Sequence, residues 1–231
     1  MTAQLYGVGV GPGDPELITL KALKILQQVE VVAYQAAAQR QSVARQIVAS
    51  YLRGDQQELC FRFPRALDPI AAKSAYDQAI APIAECLEQG KQVAVLCEGD
   101  PLFYGSFMYL FTRLSDRYPT EVVPGVCSPM AAAALGLPLS YRNDVFSVLS
   151  ATLAPELLET HLLSANGAAI IKLARHFDQV REILIKLDLV ERAKYIECAT
   201  MANQKTLPIL EVNAANVPYF AMVLIPTQAI Y

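Results

Sequence analysis

Short runs rich in β-branched residues alternate with longer amphipathic stretches as far as residue 135, and this alternation constrains the fold more than any other feature. Gln4–Val10 precedes a helical pattern over Pro15–Gln28, Val29–Tyr34 precedes Ser42–Leu52, and Glu58–Phe63 precedes Asp68–Gln89. Gln92–Cys97 leads into a helix around Tyr104–Arg117, and Glu121–Val123 into an alanine-rich helix at Ser128–Leu135. Apolar strands separated by helix-length segments require crossover connections. The pattern therefore predicts an α/β fold whose N-terminal sheet is mostly parallel and buried on both faces.

The pattern breaks at Gly136–Asp144, where GLPLSYRND gathers glycine, two prolines and mixed polar residues. Beyond it, Val145–Ala151, Ala168–Leu173, Lys194–Thr200, Thr206–Glu211 and Tyr219–Ile225 read as strands, with helices at Pro155–Ser164 and Phe177–Leu187. No helical period separates the last three strands, so this half is expected to hold a mixed sheet. The resulting division is an N-terminal domain over 1–138, a linker over 139–143 and a C-terminal domain over 144–231. At 231 residues, 54% hydrophobic and 18% charged, the chain has enough apolar surface for two cores and an interface, which predicts a homodimer.

A net charge of −3 gives no general attraction to nucleic acid. No apolar run approaches the roughly 20 residues of a membrane-spanning helix, and MTAQLYGVGV reads directly as a strand rather than a leader. Five cysteines with no CxxC pair suit reduced thiols in a cytoplasmic protein; Cys60, Cys86, Cys97 and Cys198 read as small core residues. His161 and His176 stand alone in sequence, with no cysteine at ligand spacing, so no metal site is expected.

Three strand-to-helix loops carry the chemistry. In the first, Gly7, Gly9, Gly11 and Gly13 precede Asp14 and Pro15, a helix cap and a first helical residue. Glycines there serve either close approach to a ligand or tight packing alone. The spacing is not that of a dinucleotide fingerprint, because the third glycine position falls on Pro12 or Asp14; this counts against a nicotinamide-dependent oxidoreductase. In the second loop, Glu98, Gly99 and Asp100 leave a buried strand at the sheet's carboxyl edge, where open α/β sheets bind ligands. Asp100 is either a hydrogen-bond acceptor for a ligand or a cap for the next helix. The third loop, Pro124–Pro129, has Ser128 as its expected cap. A nucleophilic Cys127 would need His161 or His176 as its base and lacks the glycine of a nucleophile elbow.

Together, GVGVGPGDPELITLKAL at 7–23, LCEGDPLFYGSFMYL at 96–110 and VVPGVCSPMAAAALGLPL at 122–139 resemble the tetrapyrrole methylases. With IIKLARHFDQV at 170–180, the resemblance is to the cobalamin branch that methylates carbon 20. Diphthine synthase and ribosomal-RNA methylases of the same fold also have a glycine-rich first loop and a GDP-like second, and the long EGDPLFYGSFMYL match favours the cobalamin branch. The resemblance implies two α/β domains with a cleft between them, a homodimer, S-adenosylmethionine as methyl donor and a tetrapyrrole acceptor, precorrin-2 or cobalt-factor II. It places Pro12, Glu98, Gly99, Asp100, Phe103, Cys127, Ser128, Lys172, Leu173, Ala199 and Thr200 at the cofactor. Cys127 departs from the family's commoner Ser or Thr. Such a polycarboxylate substrate calls for basic residues; Arg40, Arg62, Arg65 and Arg142, with Tyr104, are the candidates. No catalytic residue is assigned, and a protein that binds the cofactor without catalysis is the remaining alternative.

Overall fold

The computed structural model describes residues 2–37, 41–63 and 69–228. The chain divides into two compact units, Met1–Cys127 and Ser128–Tyr231.

The first unit holds β1 (Gln4–Gly9), α1 (Leu20–Leu26), β2 (Val31–Ala37), α2 (Val43–Ile47), β3 (Gln57–Phe63), α3 (Pro69–Glu88), β4 (Gln92–Cys97), α4 (Phe107–Leu114) and β5 (Thr120–Val123). Its strands form one sheet in the order β3-β2-β4-β1-β5, and every pairing is parallel. One face packs Leu5, Val31, Ala33, Val93 and Val95 against α3 and α4; the other packs Val8, Val32, Ala94 and Leu96 against α1 and α2. Burial on both faces explains why these strands read as continuous apolar runs.

The helix expected around Tyr104–Arg117 is confined to α4, and two other helical stretches split into shorter pieces. Pro15–Gln28 splits into a 3-10 turn at Pro15–Leu17 and α1, because Thr19 starts a fresh helix with its hydroxyl accepting from the Ala22 N–H at 3.2 Å. Ser42–Leu52 likewise ends as α2 plus a 3-10 turn at Ala49–Tyr51. The alanine-rich Ser128–Leu135 is a 3-10 helix that begins on Ser128 itself.

The second unit holds β6 (Phe146–Ser150), α5 (Pro155–Leu163), β7 (Gly167–Ile171), α6 (Phe177–Lys186), β8 (Lys194–Glu197), β9 (Lys205–Leu207) and β10 (Ala221–Ile225). The sheet order is β6-β7-β10-β8-β9, with β6 and β7 parallel and the remaining pairs antiparallel. This is the mixed sheet expected. Thr206–Glu211 is not one strand: β9 ends at Leu207 and Ile209–Glu211 forms a 3-10 turn, since Pro208 has no N–H to continue a ladder. Lys194–Thr200 stops at Glu197, where Cys198 turns to φ 49°.

The segment expected as a linker packs within the second unit. A Cβ on Gly167 would lie 2.6 Å from the Leu139 carbonyl oxygen, and Asp144 Oδ2 accepts both the Tyr141 N–H at 2.8 Å and the Thr227 hydroxyl. Ala131, from the 3-10 helix, shares a core with Ala169, Ile171, Ile196 and Met222. The division between units accordingly falls at 127/128, before that helix. Among the described residues, no helix is long and apolar enough to cross a membrane.

Candidate functional site

Because β4, β1 and β5 are adjacent and parallel, the three motif loops leave the first sheet side by side at its carboxyl edge. Their main chains then interlock. Gly11 and Gly99 form an isolated bridge, with the Gly99 N–H donating to the Gly11 carbonyl at 2.8 Å. A Cβ on Gly9 would come within 2.6 Å of the Gly125 nitrogen and 2.7 Å of the Gly99 oxygen, and a Cβ on Gly125 within 2.1 Å of that same oxygen. Glycine at these positions serves the approach of loop to loop. Gly7 serves the core: its Cβ would lie 2.3 Å from the buried ring of Phe107.

The two acids of the second loop are anchors of this assembly. Asp100 accepts the Leu102 N–H on Oδ1 at 2.9 Å and the Gly125 N–H on Oδ2 at 3.1 Å, curling its own loop and tying it to the third. Glu98 accepts the Ala44 N–H on Oε1 at 3.1 Å, and Ser42 accepts from Arg45, so two side chains satisfy the first turn of α2. Burial pushes the Glu98 carboxyl above its ordinary pKa, against the lowering effect of its backbone hydrogen bonds. Asp14 caps as expected, accepting from Glu16 at 2.8 Å, but the helical segment it starts has only three residues.

The first unit thus gathers Pro12, Glu98, Gly99, Asp100, Phe103 and Cys127 on neighbouring loops. Pro12 is buried, Phe103 is 37% exposed and its ring meets Tyr104 edge-on at 5.1 Å. Tyr104 itself sits at φ 54°, a backbone region costly for a residue with a Cβ. Residues 10–16, 97–105 and 124–128 contain Asp14, Glu16, Glu98 and Asp100 and no lysine or arginine. An edge of this charge suits a cationic ligand and opposes one bearing phosphates.

In the second unit, the remaining candidates stand at two corners of one sheet edge. Since β7 and β8 both run antiparallel to β10, their carboxyl ends flank its start. Lys172 follows β7 at φ 60°; Cys198 and Thr200 follow β8 at φ 49° and 69°. A β-branched residue such as Thr200 is rarely held there, and such outliers concentrate at functional sites. Leu173 is fully buried and Ala199 nearly so, which leaves main chain as what each offers a ligand. Lys172 and Ser128 are exposed.

Of the proposed substrate arginines, Arg62 is exposed on β3 and Arg142 is exposed in the second unit at φ 29°, whereas Arg40 and Arg65 lie outside the described residues. The sequence reading passed over Arg45, Tyr34 and Glu58, which form a hydrogen-bonded group beside Arg62; the alternate positions Glu58, Cys60 and Arg62 on one strand were the available signal. Two cysteines were misplaced: Cys86 and Cys97 are buried, but Cys60 is exposed, because β3 is the edge of its sheet, and Cys198 is half-buried in its corner. All five cysteines are free.

A parallel sheet with three interlocked loops at its carboxyl edge, the first two bearing acids, and a second unit with a mixed sheet, define a class of α/β protein that agrees with a family match over residues 4–212, to the tetrapyrrole (corrin/porphyrin) methylases. The chain belongs to this family. It is 40% identical to the precorrin-2 C(20)-methyltransferase of a Sinorhizobium species over 96% of this chain and 95% of that one. It is also 42% identical to the cobalamin biosynthesis protein CobIJ of Mycobacterium tuberculosis over 96% of its length, but spans only 46% of that relative. In fold it resembles the uroporphyrin-III C-methyltransferase of Thermus thermophilus solved with S-adenosylhomocysteine, with a TM-score of 0.69, 23% identity and coverage of 96% of this chain and 92% of that one.

Proposed function

We propose that the chain transfers a methyl group from S-adenosylmethionine to carbon 20 of precorrin-2, giving precorrin-3A, as a step of corrin assembly. The observation that carries this reading is the 40% identity with the Sinorhizobium C(20)-methyltransferase over nearly all of both chains. Cobalt-factor II is the alternative acceptor, differing by its metal.

When bound, S-adenosylmethionine supplies a sulfonium methyl already activated for transfer to an electron-rich carbon. The acid-bearing, arginine-free carboxyl edge fits such a cation. In this reading Pro12, Glu98, Gly99, Asp100, Phe103 and Cys127 shape the cofactor site in the first unit. Asp100 holds the second and third loops together, each of its oxygens accepting one N–H, and its remaining lone pairs are acceptors for the cofactor. Ser128, Lys172, Leu173, Ala199 and Thr200 are proposed as further cofactor contacts from the second unit, and Tyr104, Arg62 and Arg142 as substrate contacts. No protein nucleophile is required, because positioning of the two reactants accounts for much of such a barrier. The active form is proposed to be a cytoplasmic homodimer; Leu102, Met108 and Tyr109 give the segment around α4 an exposed apolar surface suited to a partner copy.

Calorimetry with S-adenosylmethionine and with NAD and NADP tests the cofactor directly. Binding of the first at micromolar affinity and of neither nucleotide is expected; nucleotide binding without S-adenosylmethionine binding would overturn the proposal.

A further inference from the structure

Outside the loop assembly, the first unit has a second concave site. Between the edge strand β3 and α2 lies a cavity of about 400 Å³, lined among others by Tyr34, Ser42, Arg45, Glu58, Cys60 and Arg62. This is within the size range of small-molecule pockets. Its strand residues come from one register: Tyr34 stands opposite Cys60 and Ala36 opposite Arg62 on the paired strands, so Glu58, Cys60 and Arg62 project to the face that carries Tyr34, with Ser42 and Arg45 supplied by α2.

The cavity wall is organised around one guanidinium. Arg45 Nε and Nη2 donate to Glu58 Oε2 and Oε1 at 2.9 Å each, and the Tyr34 hydroxyl donates to Oε2 at 2.5 Å. The paired guanidinium and the tyrosine hydroxyl hold the Glu58 carboxyl below its usual pKa, and burial with the hydrogen bond to Glu58 pushes Tyr34 up to about 12. All three therefore keep fixed protonation states at neutral pH. A guanidinium has five N–H donors; the fork to Glu58 uses two and leaves three. Arg62 adds a second guanidinium to the described lining of the cavity.

We infer that this cavity is a carboxylate-binding subsite, in which Arg45, held rigid by Glu58 and Tyr34, and Arg62 take an acidic side arm of the tetrapyrrole. The inference rests on the proposed tetrapyrrole acceptor and adds where, and by which residues, its acidic periphery is recognised. A preorganised planar fork matches a carboxylate bidentately, which a mobile surface lysine does not. Glu58 belongs to the device as a positioning residue. Without it Arg45 would have a choice of rotamers and would lose the orientation that makes it selective.

The test uses the full chain and two stable probes, uroporphyrin III with eight carboxylates and its octamethyl ester with none, titrated by porphyrin fluorescence. Arg62→Met and Arg45→Lys are each expected to weaken uroporphyrin binding about ten- to a hundredfold, the range for a charge-assisted hydrogen bond. Glu58→Gln should weaken it less, and the ester should bind wild type and variants alike. S-adenosylmethionine affinity, read by calorimetry on the same samples, should not change, which also shows that the variants are folded. Equal uroporphyrin affinity in wild type, Arg62→Met and Arg45→Lys would overturn the inference, as would equal weakening for the ester. Those results would leave the methyltransferase reading standing if S-adenosylmethionine still binds. Loss of that binding in the wild type would instead remove the methyltransferase reading.

Discussion

Gly9, Gly99 and Gly125 show how much of the loop edge depends on single residues. Adding a methyl group at Gly125 sets it 2.1 Å from a main-chain oxygen that no side-chain rotation can clear. Gly125→Ala should therefore cost about 1–3 kcal/mol of stability, as overpacking does, and weaken S-adenosylmethionine binding. Gly54→Ala is the matched control: φ is 84° but nothing lies within 4 Å, so about 1–2 kcal/mol of backbone strain is expected with cofactor affinity intact. Urea denaturation and calorimetry read the two quantities separately. Asp100→Ala strands two N–H groups and should cost about 1–3 kcal/mol while lowering cofactor affinity; Asp100→Asn, retaining one acceptor, should fall between. Glu98 has the opposite character. Its folded-state pKa lies above its ordinary 4.5, so its contribution to stability is greatest below that value and declines as pH rises through the folded pKa. Glu98→Gln keeps an acceptor for the Ala44 N–H without the buried charge. Its stability relative to wild type should rise from acid to neutral pH, and a pH-independent difference would contradict this assignment.

At the scale of elements, sequence revealed strands that are buried on both faces and loops that carry glycine or a cap. Gln92–Cys97 appears as read, and Asp14 is a cap as expected, although of a three-residue turn rather than of a helix running to Gln28. Boundaries failed where a local event overrides the pattern: Thr19 restarting a helix, Pro208 ending β9, Cys198 turning the chain after β8. The candidate site was legible as three loops, but not as the contacts joining them. Asp100 and Gly125 are far apart in sequence, and nothing local in EGDP or PGVCS says that one's carboxylate caps the other's N–H. Arg45 was missed for the same reason, since its partner Glu58 lies on another element. The corner after β8 gives a test at this scale. Thr200→Gly relieves left-handed strain of about 1–2 kcal/mol and adds glycine's unfolded-state freedom, for a net gain of up to about 1 kcal/mol. If Thr200 shapes the cofactor site, affinity for S-adenosylmethionine falls as stability rises, and a gain in both would remove Thr200 from that role.

For the molecule as a whole, a chain of 25.2 kDa with exposed Leu102, Met108 and Tyr109 clustered around α4 should sediment as a dimer of about 50 kDa. Tyr109→Glu, which places a charge on the apolar segment at α4, should shift the equilibrium toward monomer. A fully dimeric variant would move the interface elsewhere. The fate of the methyl group is read by incubating the chain with methyl-labelled S-adenosylmethionine and, in parallel, metal-free precorrin-2 or cobalt-factor II. One label per macrocycle at carbon 20 is expected, with precorrin-2 as the better acceptor; absence of label from both macrocycles, or its appearance at another carbon, would rule out C(20) methylation by this chain.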